Sequence, residues 1–212
     1  AKTGDFRDAM VQGKALQKAG KFAEAIPYFE QVVDYGEGRF GDGHPKLAKA
    51  LEWLANAHRQ ARNLEKAGPF YKRALEIWQN TRGPGHPKVG KILNSLGTLY
   101  RKQGRYGEAE KTLKPSLEVL ENKLGKDHPQ YAKTPDQLGS LYRELGRFEE
   151  AEKVLKQALA IRQRRKGPEH KSVGQSLHNL ANIYHQIGRY AEAEDFYALA
   201  QLSRRLPISG GQ

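Results

Sequence analysis

Apolar residues recur along this chain at helical spacings of three and four, in blocks that repeat every 42 residues. In each block a stretch such as Leu93, Leu96, Gly97 and Tyr100, or Leu177, Leu180, Ala181 and Tyr184, marks one stripe of an amphipathic helix, helix A. A second stripe follows it. Ala25, Ala67, Ala109, Ala151 and Ala193 are each followed four residues on by Phe29, Tyr71, Leu113, Leu155 or Tyr197, and after three more by Val32, Ala74, Ser116, Ala158 or Ala200. That is helix B. Small residues beside the second apolar position of helix A, Gly13, Ala55, Gly97, Gly139 and Ala181, predict a close approach of helix B. Glycine there costs about 1 kcal/mol relative to alanine in a helix, and packing is the compensation. The pattern predicts an all-α chain of five helix-turn-helix units, about ten antiparallel helices.

The punctuation has the same period. Gly20, Gly104, Gly146 and Gly188 fall where helix A stops and a left-handed residue is favoured, with Asn63 expected to serve in the second unit. Gly41, Gly83, Gly125 and Gly167 end helix B, and a proline at the first helical position follows His44, His86 and His128. Proline also marks departures. Pro135 stands where Leu51, Leu93 and Leu177 stand, so helix A of the fourth unit is expected to kink or start late. Pro27, Pro69 and Pro115 lie inside helices B. The first unit carries Ala9, Gln12, Gly13 and Leu16 in place of the leucines and tyrosine, as an N-terminal cap would.

Composition narrows the function classes. No apolar run reaches the roughly 18 residues that a membrane span requires. Absence of cysteine excludes disulfides, thiolate zinc sites and thiol catalysis. The first residue, Ala1, preceded by no charged and apolar leader, fits either a processed exported chain or a trimmed recombinant one, which leaves cytoplasmic and exported locations both open. A net charge of +12 raises acidic proteins, anionic surfaces and nucleic acid as partners. Nucleic acid has only that charge in its favour, because base-stacking aromatics at reading positions are not evident. The histidines His44, His86, His128 and His170 recur one per unit, on layers roughly 10 Å apart, too far to share an ion whose ligands sit near 2 Å. We read them as helix-start residues and expect no metal and no cofactor. No nucleophile elbow, phosphate loop or paired-carboxylate setting stands out, which argues against an enzyme.

The order of Leu93, Leu96, Gly97, Tyr100, Ala109 and Leu113 resembles the tetratricopeptide repeat, lengthened from 34 residues to 42 in the manner of kinesin light chains and their bacterial relatives. The resemblance implies a right-handed α-solenoid over 1–205, with repeats at 3–43, 44–85, 86–127, 128–169 and 170–205 and a C-terminal tail at 206–212. It further implies that helices A line a concave groove. Residues expected to face a partner there are Lys49, Trp53, Asn56, Arg59, Lys91, Thr98, Arg101, Lys133, Ser140, Arg143, Asn179 and Asn182. Such Lys, Asn and Arg ladders suit an extended or acidic protein segment, since lysine supplies point charge, arginine a planar fork, and asparagine both donors and acceptors. Glu52 and Asp136 dilute the positive field. Trp53 is either a groove anchor or a residue packed between helices. Any solvated helix carries such charges, and for Arg162, Arg164, Arg165 and Lys166 at the end of a helix B the macrodipole is the preferred account; Glu149, Glu150 and Glu152 read as solvated surface. The competing role is a subunit that self-associates end to end through Phe196, Leu199 and Leu202, which no further repeat covers.

Overall fold

A computed structural model describes residues 3–205, with side chains from Phe6 to Ser203; the tail at 206–212 lies outside the described residues. Among these residues ten α-helices alternate with short turns and no strand occurs: α1 (Thr3–Lys18), α2 (Phe22–Phe40), α3 (Pro45–Gln60), α4 (Leu64–Arg82), α5 (Pro87–Lys102), α6 (Tyr106–Leu124), α7 (Lys133–Glu144), α8 (Phe148–Lys166), α9 (Lys171–Gln186) and α10 (Tyr190–Arg205). Odd-numbered helices are the A stripes and even-numbered ones the B stripes. The chain divides within α6, between Thr112 and Leu113, into two compact units. In the first, α1 through α5 pack consecutively. In the second, α7 through α10 do so, and α7 also touches α9. The fold is a tetratricopeptide-like helical repeat.

Each helix A begins by the same device. The Nδ1 atoms of His44, His86, His128 and His170 accept the backbone N–H two residues on, at 3.1, 3.2, 3.2 and 3.1 Å. This satisfies a donor that has no partner inside the helix. After His128 the helix fails to propagate, and α7 starts only at Lys133 and runs 12 residues where α3, α5 and α9 run 16. Pro135 is the cause. It has no N–H to give and its ring would strike the Tyr131 carbonyl, so it is tolerated only within the first helical turn. In contrast α2, α4 and α6 run unbroken through Pro27, Pro69 and Pro115.

The turns from A to B follow the glycines, with one correction. In the second repeat the left-handed residue is Arg62 itself, at φ 65°, and not Asn63. The backbone bond that closes this turn, Asn63 N–H to His58 carbonyl at 2.8 Å, has its counterparts in Lys21 to Leu16, Arg105 to Tyr100, Arg147 to Tyr142 and Arg189 to Tyr184. The turn geometry therefore persists where the glycine is missing, and the arginine bears the strain.

Close approach of A and B is observed where the small residues predict it. A Cβ on Gly13 would lie 2.8 Å from the Phe29 ring, and one on Gly139 would lie 2.5 Å from Leu155 Cγ. Phe29, Tyr71, Leu113 and Leu155 are buried, as are Leu54, Leu96, Leu138 and Leu180. In the second unit the turn that replaces the first part of α7 still contributes core, with Tyr131 and Ala132 packed among Leu120 and Ile161.

Candidate partner-binding site

The expected groove residues divide by what the fold has already done with them. On α3 in the first unit, Asn56 Oδ1 accepts the Tyr71 hydroxyl at 2.6 Å, and Arg59 Nε donates to the same hydroxyl at 3.0 Å. In the second unit Tyr197 bonds Asn182 in the same way, at 2.7 Å. In both, a helix B tyrosine crosses to the asparagine of its own helix A and occupies the carbonyl end of the amide. Only the amide N–H donors of Asn56 and Asn182 are left for a partner. Where helix B carries Leu113 or Leu155 at the tyrosine position, helix A carries Thr98 or Ser140 instead of asparagine. Thr98 is buried and donates to the Asn94 carbonyl at 2.7 Å, so its hydroxyl is spent within its own helix.

The cations remain. Lys49 and Lys133 are exposed, and Arg59, Lys91, Arg101, Ser140, Arg143 and Asn179 are half-buried on their helix faces. At the C-terminal ends of α3 and α5, Arg59, Arg62, Arg101 and Lys102 lie near enough to act on one another. Burial, then repulsion from Arg59, Arg101 and Arg62, pushes the Lys102 ammonium below its ordinary range. Among the described residues no carboxylate lies within 4.0 Å of Arg59, Arg62 or Lys102. Trp53 is half-buried and does both of the things expected of it. Its ring stacks on Phe29 at 6.1 Å between centroids, while Lys14 and Lys49 hold their ammonium groups 4.3 and 5.5 Å from the ring centre.

Several ionisable residues read as plain surface or field-diluting charge are instead ties between helices. Glu52 accepts the Trp78 indole N–H at 2.6 Å; burial pushes its carboxyl up, against the pull of that bond and of Lys88, Lys91 and Lys49. Two repeats on, Asp136 holds Arg162, which also donates to the Ser176 hydroxyl and the Ala132 carbonyl. The macrodipole account of Arg162 is corrected accordingly: its guanidinium is a buried junction of α7, α8 and α9. Glu152, half-buried, receives the Tyr184 hydroxyl at 2.6 Å and Lys156, so it too is more than solvated surface. Another recurring unit is Tyr-x4-Arg-x2-Glu. Arg105, Arg147 and Arg189 sit 4.5, 4.4 and 4.5 Å over the rings of Tyr100, Tyr142 and Tyr184 and pair with Glu108, Glu150 and Glu192. Its signal, a tyrosine five residues before an Arg-x-x-Glu in every later repeat, is present in the sequence.

At the far end of the second unit the three apolar residues differ. Phe196 lies against Tyr184 at 5.1 Å and packs on Val173, Leu177 and Ala200, whereas Leu199 and Leu202 are 49% and 57% exposed. Among the described residues no helix is long and apolar enough to cross a membrane.

Stacked helix pairs with polar, cation-bearing A faces define a helical-repeat protein of the kind that binds other proteins. Tetratricopeptide repeat families match residues 46–122, 89–164 and 134–201, and a further one residues 13–46; the chain belongs to the tetratricopeptide repeat family. Among solved structures, BtubC (BKLC) from P. vanneervenii superposes with a TM-score of 0.80 at 24% identity, over 97% of this chain and 85% of that one. A P. anserina putative kinesin light chain of nearly identical TPR-like repeats gives 0.77 at 24%, over 93% and 94%. A Rap protein complexed with Competence and Sporulation Factor gives 0.79 at 18%; the alignment covers 94% of this chain and 54% of the Rap chain. No curated protein matches. Tetratricopeptide repeats generally mediate protein–protein interaction and are typically non-catalytic scaffolds.

Proposed function

We propose that this protein is a non-enzymatic interaction scaffold whose helix A faces hold an extended, acidic segment of a partner protein. The observation that carries the reading is the cluster on α3 and α5, where Arg59, Arg62, Arg101 and Lys102 crowd together strongly enough to disfavour the charge on Lys102. Bringing four cations together is unfavourable, and a carboxylate-rich ligand relieves the repulsion. Lys49 and the Trp53 ring, one helical face away, supply a charge and an apolar anchor for the same segment. The Rap structure with its bound factor is a precedent for a ligand held on this fold. A fluorescently labelled acidic peptide serves as probe in anisotropy titrations of the whole chain. Binding is expected to weaken steeply with salt and to be lost when Lys49, Arg62 and Lys102, none of them core residues, are each changed to Glu with the helical signal intact. Equal affinity in that variant refutes the reading.

Exposure of Leu199 and Leu202 favours a second reading, self-association through α10. Light scattering across concentration tests it. Assembly is expected to disappear when both leucines become serine, and a monomer at every concentration overturns it.

A further inference from the structure

The second unit contains a recess that the repeat pattern by itself would not provide. It lies where α7 lacks its first turn, between the start of α7, the end of α8 and the first turn of α9, and encloses about 150 Å³. Ala132 and Ile161, both buried, form its floor; Lys133, Arg165 and Lys166 stand on its rim, and Ser172 adds a hydroxyl. Arg162 also borders it, but its charge is matched by Asp136, with side-chain exposures of 12% and 18%. The rim cations are different. Arg165 donates only to the Asp127 carbonyl, and neither it nor Lys133 nor Lys166 has a carboxylate within 4.0 Å among the described residues.

Three unneutralised cations around a small cavity with an apolar floor are specific to this repeat. One period earlier the rim positions carry Lys91, Lys123 and Leu124, and two periods earlier Lys49, Thr81 and Arg82, while the Arg162 position carries Leu120 and Trp78. The proline that delays α7 and the basic end of α8 therefore coincide in one unit. We propose that this recess binds a phosphate monoester. A dianion meets three cations better than a carboxylate monoanion does. Arginine supplies a planar fork and lysine point charges. The floor accepts the few carbon atoms that carry the phosphate, and the volume excludes a nucleotide. The site is separate from the acidic-segment face proposed for α3 and α5.

Amide chemical-shift titrations of the whole chain test this with three probes at constant ionic strength: inorganic phosphate, phosphoserine and acetate. Phosphate and phosphoserine are expected to give saturable shifts confined to Ala132, Lys133, Gly167 and Ser172, with acetate giving none. Tighter binding of phosphoserine than of phosphate identifies a phosphorylated side chain as the source; equal binding identifies a free phosphate group, and either result supports the site. In Arg165→Gln/Lys166→Gln, which changes two exposed residues, affinity is expected to fall about tenfold or more. Linear shifts spread over all the lysines and arginines, acetate equal to phosphate, or an unchanged affinity in the double variant overturns the proposal.

Discussion

Gly139→Ala sets helix propensity against packing at one atom. Propensity alone favours the alanine by about 1 kcal/mol in a helix interior. The added Cβ, however, would stand 2.5 Å from Leu155 Cγ, 2.7 Å from its Cδ2 and 3.1 Å from its Cδ1. The closest atom is a branch point and cannot swing aside as a flexible chain end would. Leu155 is itself 2% exposed, so α8 must move or the leucine must leave its rotamer. Overpacking of that kind costs about 1–3 kcal/mol. The net expectation is a loss of about 1 kcal/mol, read as a lower urea midpoint at unchanged slope in circular dichroism. Gly38→Ala in α2 is the control. Nothing lies within 4 Å of its Cβ position, so only the propensity term acts and the midpoint should rise. Combining Gly139→Ala with Leu155→Ala removes the obstructing atoms, and in the double-mutant cycle the alanine at 139 should become favourable. If Gly139→Ala stabilises the protein as much as Gly38→Ala does, the close approach of α7 and α8 is refuted.

Arg62 occupies a left-handed turn at φ 65°, and Arg62→Gly should raise stability by about 1 kcal/mol in the same assay. Asp136→Ala strands the buried Arg162 charge and should cost about 3–5 kcal/mol, while Asp136→Ala/Arg162→Leu, which installs the residue found at Leu120, should recover most of the loss. His58 is buried, its Nδ1 has no hydrogen-bond partner, and burial lowers its pKa from the ordinary 6.5, with Glu30 opposing and Lys66 reinforcing. The unfolded chain therefore takes up this proton first. The contribution of neutral His58 is present above about pH 6.5 and is lost as pH falls below it. His58→Tyr, matching Tyr100, Tyr142 and Tyr184, should flatten the difference in urea midpoint between neutral pH and about pH 5, and an unchanged difference would assign the acid sensitivity elsewhere. His86→Ala should cost about 1 kcal/mol through the lost cap of α5, with His86→Asn restoring most of it.

Helix order, helix ends and the A–B contacts were legible because each rests on local chemistry repeated every 42 residues. Glycine at a left-handed turn, proline in a first turn and a small residue under Phe29 or Leu155 each have one main physical use. Pro135 was legible as an interruption, since a missing N–H has the same consequence in any helix. The buried ties were not. Glu52 with Trp78 and Asp136 with Arg162 join residues 26 apart, and nothing along a single helix distinguishes an acid that crosses to a neighbour from one that faces water. The two pairs occupy the same register two repeats apart, so a comparison of repeats by pairs of positions would have found them.

The same comparison changes what the groove ladder means. Asparagine appears at the ninth position of helix A in Asn56 and Asn182, where helix B offers Tyr71 and Tyr197, and gives way to Thr98 and Ser140 where helix B offers Leu113 and Leu155. A residue selected by its neighbour inside the repeat is first a packing residue, whatever else it touches. A buried tyrosine hydroxyl requires an acceptor, and the asparagine carbonyl is that acceptor. The lysines and arginines have no such internal counterpart at Lys49, Arg62, Lys102 and Lys133, where among the described residues no carboxylate answers them. Removing the asparagines should therefore cost stability before it costs binding, and removing these cations should do the reverse. Asn56→Leu and Lys102→Gln, each assayed for both urea midpoint and acidic-peptide affinity, separate the two roles. Loss of affinity in the first without loss of stability would return the asparagine ladder to the binding surface.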